Sequence, residues 1–165
     1  MNKIFWGLIL VFFDFNIGSV SILPAFIGYI LIALGMLDTE GAPAFGRAKP
    51  WCIAAAVLSA VFWLPIITEP TVLTLVALAG SALQLAVLYF LTEGMGELAA
   101  LHRIDLNYGK LRKYWKIMAV CIAIAEVGGL MQFNLAVIAL IPWAVAAIVY
   151  LVNFRRTGKA LLVIA

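Results

Sequence analysis

Residues 12–30 read FFDFNIGSVSILPAFIGYI, and the reading of this stretch decides the fold. It lies inside an apolar N-terminal region, yet it holds Asp14, Asn16, Gly18, Ser19, Ser21 and Pro24. Taken as one helix, residues 4–37 would be roughly 50 Å long, too long for a single crossing of a hydrocarbon layer about 30 Å thick. Gly18 and Pro24 also interrupt the run, and proline favours a helix start, where its missing N–H costs nothing. A hairpin is therefore expected: a helix over 3–17, a tight polar turn, and a second helix over 24–37. Both are short for a full crossing, so either the bilayer thins around them or the pair is partly re-entrant. A single broken span is the alternative.

The rest of the chain sets the context. Of its 165 residues 66% are hydrophobic and 12% are charged, about half the charge of a soluble domain. The mean hydropathy is +1.14. Such a chain must satisfy its backbone polar groups internally. Its long unbroken apolar runs exclude the alternating segments of a lipid-facing barrel. Four further helices are expected over 51–68, 71–92, 114–131 and 133–154, broken pairwise at Glu69-Pro70 and between Gly128 and Asn134. The expected fold is all-α: a single integral membrane bundle over 1–165, with six transmembrane helices arranged as three hairpins. MNKIFWGLILVFF has the charged and apolar parts of a signal peptide but no A-x-A-type cleavage site after it, so it is expected to be a retained helix.

The basic residues give an orientation. Lys3 opens the chain, Arg47 and Lys49 follow the second expected helix, and Arg103, Lys110, Arg112, Lys113 and Lys116 lie between the fourth and fifth. Arg155, Arg156 and Lys159 follow the sixth. With six helices all eleven fall on one side, which the positive-inside rule makes cytoplasmic. The expected setting is the cell membrane with both termini cytoplasmic. The net charge of +3 is thus spent on topology and is no sign of nucleic-acid binding. Residues 94–113 are expected to form a cytoplasmic amphipathic loop, a frayed end of helix four followed by a short interfacial helix, and anionic lipid or a partner could bind there.

Among the acidic residues, Asp38, Glu40, Glu93, Glu97 and Asp105 belong to the cytoplasmic side, and Glu69 to an outer turn. Asp14 and Glu126 remain. Each lies about 15 Å along its helix from the nearest basic residue at the boundary, close to mid-bilayer, and Gln84 reaches a similar depth. A carboxylate there costs a few kcal/mol, and no Lys or Arg is near that level to pair with it. Asp14 and Glu126 are therefore expected to face the interior, with Asn16, Gln84, Gln132 and Asn134 as hydrogen-bonding company. The candidate substrate- or proton-binding set is Asp14, Asn16, Gln84 and Glu126. The competing reading is structural: Asp14 as an exposed cap, Glu126 as a clip between helices.

No G-x-S-x-G, H-E-x-x-H or P-loop pattern is present, and no catalytic residue is assigned. Gly80-Ser81 reads as a helix packing step. His102 is the only histidine, which leaves paired-histidine haem ligation and histidine-built metal sites without support, and no cofactor is expected. Cys52 and Cys121 stand alone within helices as small buried hydrophobes. Gly28 and Gly35, with Ala33 between them, mark a close helix contact, as do Ala54, Ala55, Ala56 and Ala60. Pro65 and Pro142 are expected to kink helices three and six.

FDFNIG followed by ILPAFIGYILIALG resembles a pattern, D-F then I-G then I-P-D-F-I-G-Y-I, found in uncharacterised small multi-pass membrane proteins of Gram-positive bacteria. The resemblance covers the first hairpin, about a quarter of the chain, and Ala25 stands where that pattern has an acidic residue. It implies a setting and no activity. Six helices in a chain of this size also resemble, more coarsely, the substrate-binding subunits of energy-coupling-factor vitamin transporters. Those carry a small-residue stripe in their first helix that IFWGLILVFF lacks. Two functions follow as expectations. One is a small transporter or solute-binding membrane subunit for a cation, a proton or a small amine. The other is a non-transporting scaffold or accessory subunit. The expected partners are the lipid bilayer, a small cationic ligand, and a partner membrane subunit or a second copy of the chain.

Overall fold

The computed structural model describes residues 1–13, 16–17, 20–21, 25–39, 41–63, 69–103, 108–130 and 135–162, with backbone alone at 16, 17, 20, 21, 63, 130, 135–137, 161 and 162. Six helices are described: α1 (Asn2–Phe12), α2 (Ala25–Leu37), α3 (Pro43–Trp63), α4 (Pro70–His102), α5 (Tyr108–Leu130) and α6 (Leu135–Leu162). Each packs on the next, and α6 returns to pack on α1, so the helices close a ring. Two residues each form β1 (Asn16–Ile17) and β2 (Val20–Ser21), paired antiparallel with Asn16 opposite Ser21 and Ile17 opposite Val20.

The first hairpin therefore exists, but its first helix is shorter than expected. It ends at Phe12 instead of Ile17, where Phe13 leaves the helical region with φ −112° and ψ 68°. The reason lies in the sequence that follows. Asn16 favours turns over helix interiors, Ile17 and Val20 are β-branched, and a two-residue Gly-Ser link is a hairpin signature.

The other boundaries differ in the opposite direction. Helix α3 starts at Pro43, eight residues before the expected Trp51, and so carries Pro50 inside it. Gly46, whose carbonyl Pro50 leaves without its helical donor, is exposed, and water can replace the lost bond. Helix α4 continues past residue 92 to His102, and α5 begins at Tyr108. Among the described residues of the 94–113 segment there is thus no separate interfacial helix. Helix α6 continues past Phe154 to Leu162. Pro142 lies inside α6; Pro65 lies outside the described residues.

Three helices are long and apolar enough to cross a membrane, not six: Pro43–Phe62 of α3, Pro70–His102 of α4 and Ile138–Ala160 of α6. At about 1.5 Å per residue, α1 is only about 16 Å long and α2 about 20 Å. Helix α5 has the length, but Lys110, Arg112, Lys113 and Lys116 occupy its first turns and Glu126 its last.

The core follows helical spacing on every element. Ile4, Leu8 and Phe12 come from α1, Ile32 and Met36 from α2, and Phe45, Ala48, Cys52 and Ala55 from α3. Leu88, Leu91 and Met95 of α4, Leu111 and Met118 of α5, and Ala147, Tyr150 and Phe154 of α6 complete it. In α3 to α6 these residues sit in the half of the helix nearer the charged end, and the other halves are largely exposed and apolar. Helices α1 and α2 meet backbone to backbone. A Cβ on Gly28 would lie 2.7 Å from the Gly7 carbonyl oxygen, one on Gly7 would lie 2.5 Å from the Gly28 carbonyl oxygen, and one on Gly35 would lie 2.8 Å from the Ile4 nitrogen. In lipid, where tails are as apolar as leucine, such close packing replaces hydrophobic burial as the source of association.

Candidate functional site

The charged ends converge on one rim. Lys3 of α1 pairs with Asp38 after α2 at 2.8 Å. Arg47 of α3 pairs with Glu97 of α4 at 3.0 Å. Tyr108 of α5 donates to Glu93 of α4 at 2.6 Å, and the Arg155 guanidinium of α6 lies 5.1 Å from the Phe5 ring of α1. Every stretch that carries basic residues thus meets a neighbour at the same end of the ring. Two pKa shifts accompany this. The Lys3 hydrogen bond and charge hold the exposed Asp38 carboxyl below its ordinary value. Desolvation, and then the Glu93 carboxylate, push the Tyr108 hydroxyl up.

Glu97 also solves a local problem for α3. The residue before Pro43 is Ala42, which has no capping oxygen. The Ala44 N–H instead donates to Glu97 at 2.7 Å, so a carboxylate from α4 takes up one of the free N–H groups of the α3 first turn, where the helix dipole favours it.

Deeper in, α4 and α5 share a polar seam. The Trp115 indole N–H donates to the Leu85 carbonyl at 3.1 Å, and the Tyr89 and Trp115 rings are 5.3 Å apart. Farther along, the Ser81 hydroxyl donates to Glu126 at 2.5 Å. Glu126 lies ten residues beyond Lys116, about 15 Å along the helix. Across the ring, Thr92 of α4 lies 3.0 Å from the Tyr150 hydroxyl of α6, and Thr92 donates to the Leu88 carbonyl at 2.8 Å. Both side chains are fully buried, with Phe12 edge-on to Tyr150 and Trp143. Ser81 is seven residues, about 10 Å, beyond Leu88 along α4.

Of the candidate set, Glu126 is half-buried on the α4–α5 seam, hydrogen-bonded by Ser81. Gln84 is half-buried on α4, one turn from Ser81. Asn16 lies in β1, described by its backbone. Asp14, Gln132 and Asn134 lie outside the described residues. Glu69 is exposed just before α4. Ser81, read from sequence as a packing step, is the partner that reasoning missed. The available signal was depth: Ser81 is twelve residues from Glu93 and Glu126 ten from Lys116, which places them level on antiparallel neighbours. Cys52 and Cys121 are free and buried.

No protein-family model matches the chain, and neither does any curated protein or any solved structure.

Proposed function

We propose that this chain is a six-helix multi-pass protein of the cell membrane, with its basic rim in the cytoplasm, that binds a proton or a small cation at the Ser81–Glu126 pair as a small transporter or solute-binding subunit. The observation that carries the reading is the Glu126 carboxylate, held by a neutral hydroxyl about 15 Å from the basic rim. An intramembrane carboxylate attracts cations because the low dielectric strengthens the field of any charge it carries. Gln84, one turn from Ser81, adds an amide that can orient a ligand. Asp14 and Asn16 belong to the same proposal as groups from the first hairpin. Helices α1 and α2 are too short to cross alone, and the β1–β2 ladder lets some of the connecting backbone pair with itself, as lipid requires.

The test is a thermal-shift screen of purified protein with alkali cations and small amines across pH, in wild type, Glu126→Gln, Ser81→Ala and Asp14→Asn. Ligand stabilisation follows mass action and should disappear in Glu126→Gln. If no ligand shifts the wild type and the variants leave its pH dependence unchanged, the reading fails. Orientation is tested separately: single cysteines at Ser21, Thr71 and Gln132, in a background without Cys52 and Cys121, should label from outside intact cells. Labelling at the exposed Gly46 instead would reverse the topology. A second reading, an accessory scaffold, is favoured by the buried Thr92–Tyr150 contact and the aromatic packing of Phe12 and Trp143, which fill the ring. It requires Ser81→Ala to lower stability equally with and without any ligand.

A further inference from the structure

A cavity of about 220 Å³ opens between α1 and α6 at the charged rim, lined by Asn2, Phe5, Phe154, Arg155, Gly158 and Lys159 together with Met1. Among the described residues no carboxylate lines it, while Arg155 and Lys159 stand one turn apart on α6 and share its wall. Arg155 is steadied over the Phe5 ring at 5.1 Å, a cation–π contact that leaves guanidinium N–H groups for an acceptor. Gly158 keeps a side chain out of the space.

The same face of α6 continues away from the rim as Val152, Ile148, Val145, Ile141 and Ile138, every one exposed and spaced by alternate threes and fours. It is one stripe, apolar for its length and cationic at its end. From Arg155 to Val145 is ten residues, about 15 Å, the depth of one hydrocarbon leaflet. Trp6, 60% exposed and one turn along α1 from Asn2, stands beside the cavity where an amphipathic ring suits the headgroup level.

We infer that this cavity is a binding site for an anionic phospholipid. The phosphate sits between Arg155 and Lys159, and an acyl chain lies along the Val152–Ile138 stripe. The charge selects the headgroup, and the stripe selects a lipid over a soluble phosphate. The inference rests on the membrane reading above and is independent of any ligand at Glu126.

The experiment uses the full chain in detergent micelles, with thermal stability and native mass spectrometry as readouts. The probes are dioleoylphosphatidylglycerol, dioleoylphosphatidylcholine and free glycerol phosphate. Phosphatidylglycerol should raise the unfolding midpoint and remain bound in the gas phase. In Arg155→Gln/Lys159→Gln its apparent affinity should fall roughly 30-fold, the loss expected for two cations near an anionic headgroup. Arg112→Gln/Lys113→Gln, which removes two exposed cations of α5, should retain it. Lys159→Glu leaves the Arg155–Phe5 contact intact and should show the same direction of loss if the double variant does not fold. Equal stabilisation by phosphatidylcholine, equal loss in the α5 variant, or full competition by glycerol phosphate would each overturn the assignment. Membrane insertion, measured by carbonate extraction, is unaffected by these variants, so its failure would strike the reading beneath and not this site alone.

Discussion

Replacing Gly28 with alanine tests the packing that holds the first hairpin together. The new Cβ would lie 2.7 Å from the Gly7 carbonyl oxygen, 2.8 Å from Val11 Cγ2 and 3.1 Å from Leu10 Cβ. Ordinary contact begins at 3.4 Å, so α1 and α2 must part by about 0.7 Å. A valine methyl can rotate away, but a helix carbonyl and a Cβ cannot. Overpacking of this kind costs about 1–3 kcal/mol, and the rigid obstacles place this case in the upper half of that range. Alanine returns about 1 kcal/mol of helix propensity. The net expectation is a loss of about 1–2 kcal/mol. Gly46→Ala in α3 is the matched control, because a Cβ there meets nothing within 4 Å; it should gain about 1 kcal/mol. Unfolding of both variants by sodium dodecyl sulfate titration, followed by far-ultraviolet circular dichroism, measures the difference. The Gly7→Ala/Gly28→Ala double variant should lose less than the sum of the singles, since the first substitution has already opened the gap. A shift of Gly28→Ala and Gly46→Ala in the same direction would refute tight α1–α2 packing as the cause.

Thr92→Val removes the hydroxyl 3.0 Å from the buried Tyr150 OH and leaves that group, among the described residues, only the Leu88 carbonyl at 3.5 Å, so it should cost about 1–3 kcal/mol. Tyr150→Phe should cost only about 1 kcal/mol, because Thr92 keeps its bond to Leu88; the same denaturant titration ranks the two. Arg103→Gly should stabilise by about 1 kcal/mol, since Arg103 ends α4 in the left-handed region at φ 54°, where a Cβ is costly; thermal unfolding checks it. Glu97→Gln should destabilise by about 1 kcal/mol through the α3 first turn, while Arg47→Gln should change little because its guanidinium is exposed. Asp38 has a lowered carboxyl pKa, so its contribution is complete above the ordinary carboxylate range and lost as pH falls through the lowered value; a pH series of melting curves should show that acid-side loss reduced in Lys3→Met.

How far sequence reached depends on what kind of signal each element carries. Six helices in hairpin order were legible because apolar runs of near-span length leave few alternatives. Their ends were not. Hydropathy falls where Arg47, Glu93 or Arg155 appears, but a helix ladder needs only backbone partners and continues through charge when a neighbour receives the side chains. Glu97 does this for the start of α3. Gly94 and Gly96 read as loop residues and are instead packing sites, one facing the Phe45 ring and the other the Tyr108 ring. At the candidate site, the place of Glu126 along its helix, ten residues beyond Lys116, was readable from sequence. Its partner Ser81 was not, because a serine in a membrane helix is cheap and common, and only the pairing of α4 with α5 gives it a role.

The return of α6 onto α1 has a consequence for biogenesis. Phe12 finds Tyr150 only after 138 further residues have been synthesised, which at about 5–20 residues per second takes roughly 7–28 s. Throughout that interval the inner face of α1, with Ile4, Leu8 and Phe12, must wait with α2 as its companion. The Gly7–Gly28 contact is local in sequence and can form at once, giving the nascent hairpin a partner before its ring exists. A ribosome-stalled chain ending before residue 135 should therefore hold a formed α1–α2 pair with an unfilled inner face, the stage at which an insertase or chaperone would have the most surface to recognise.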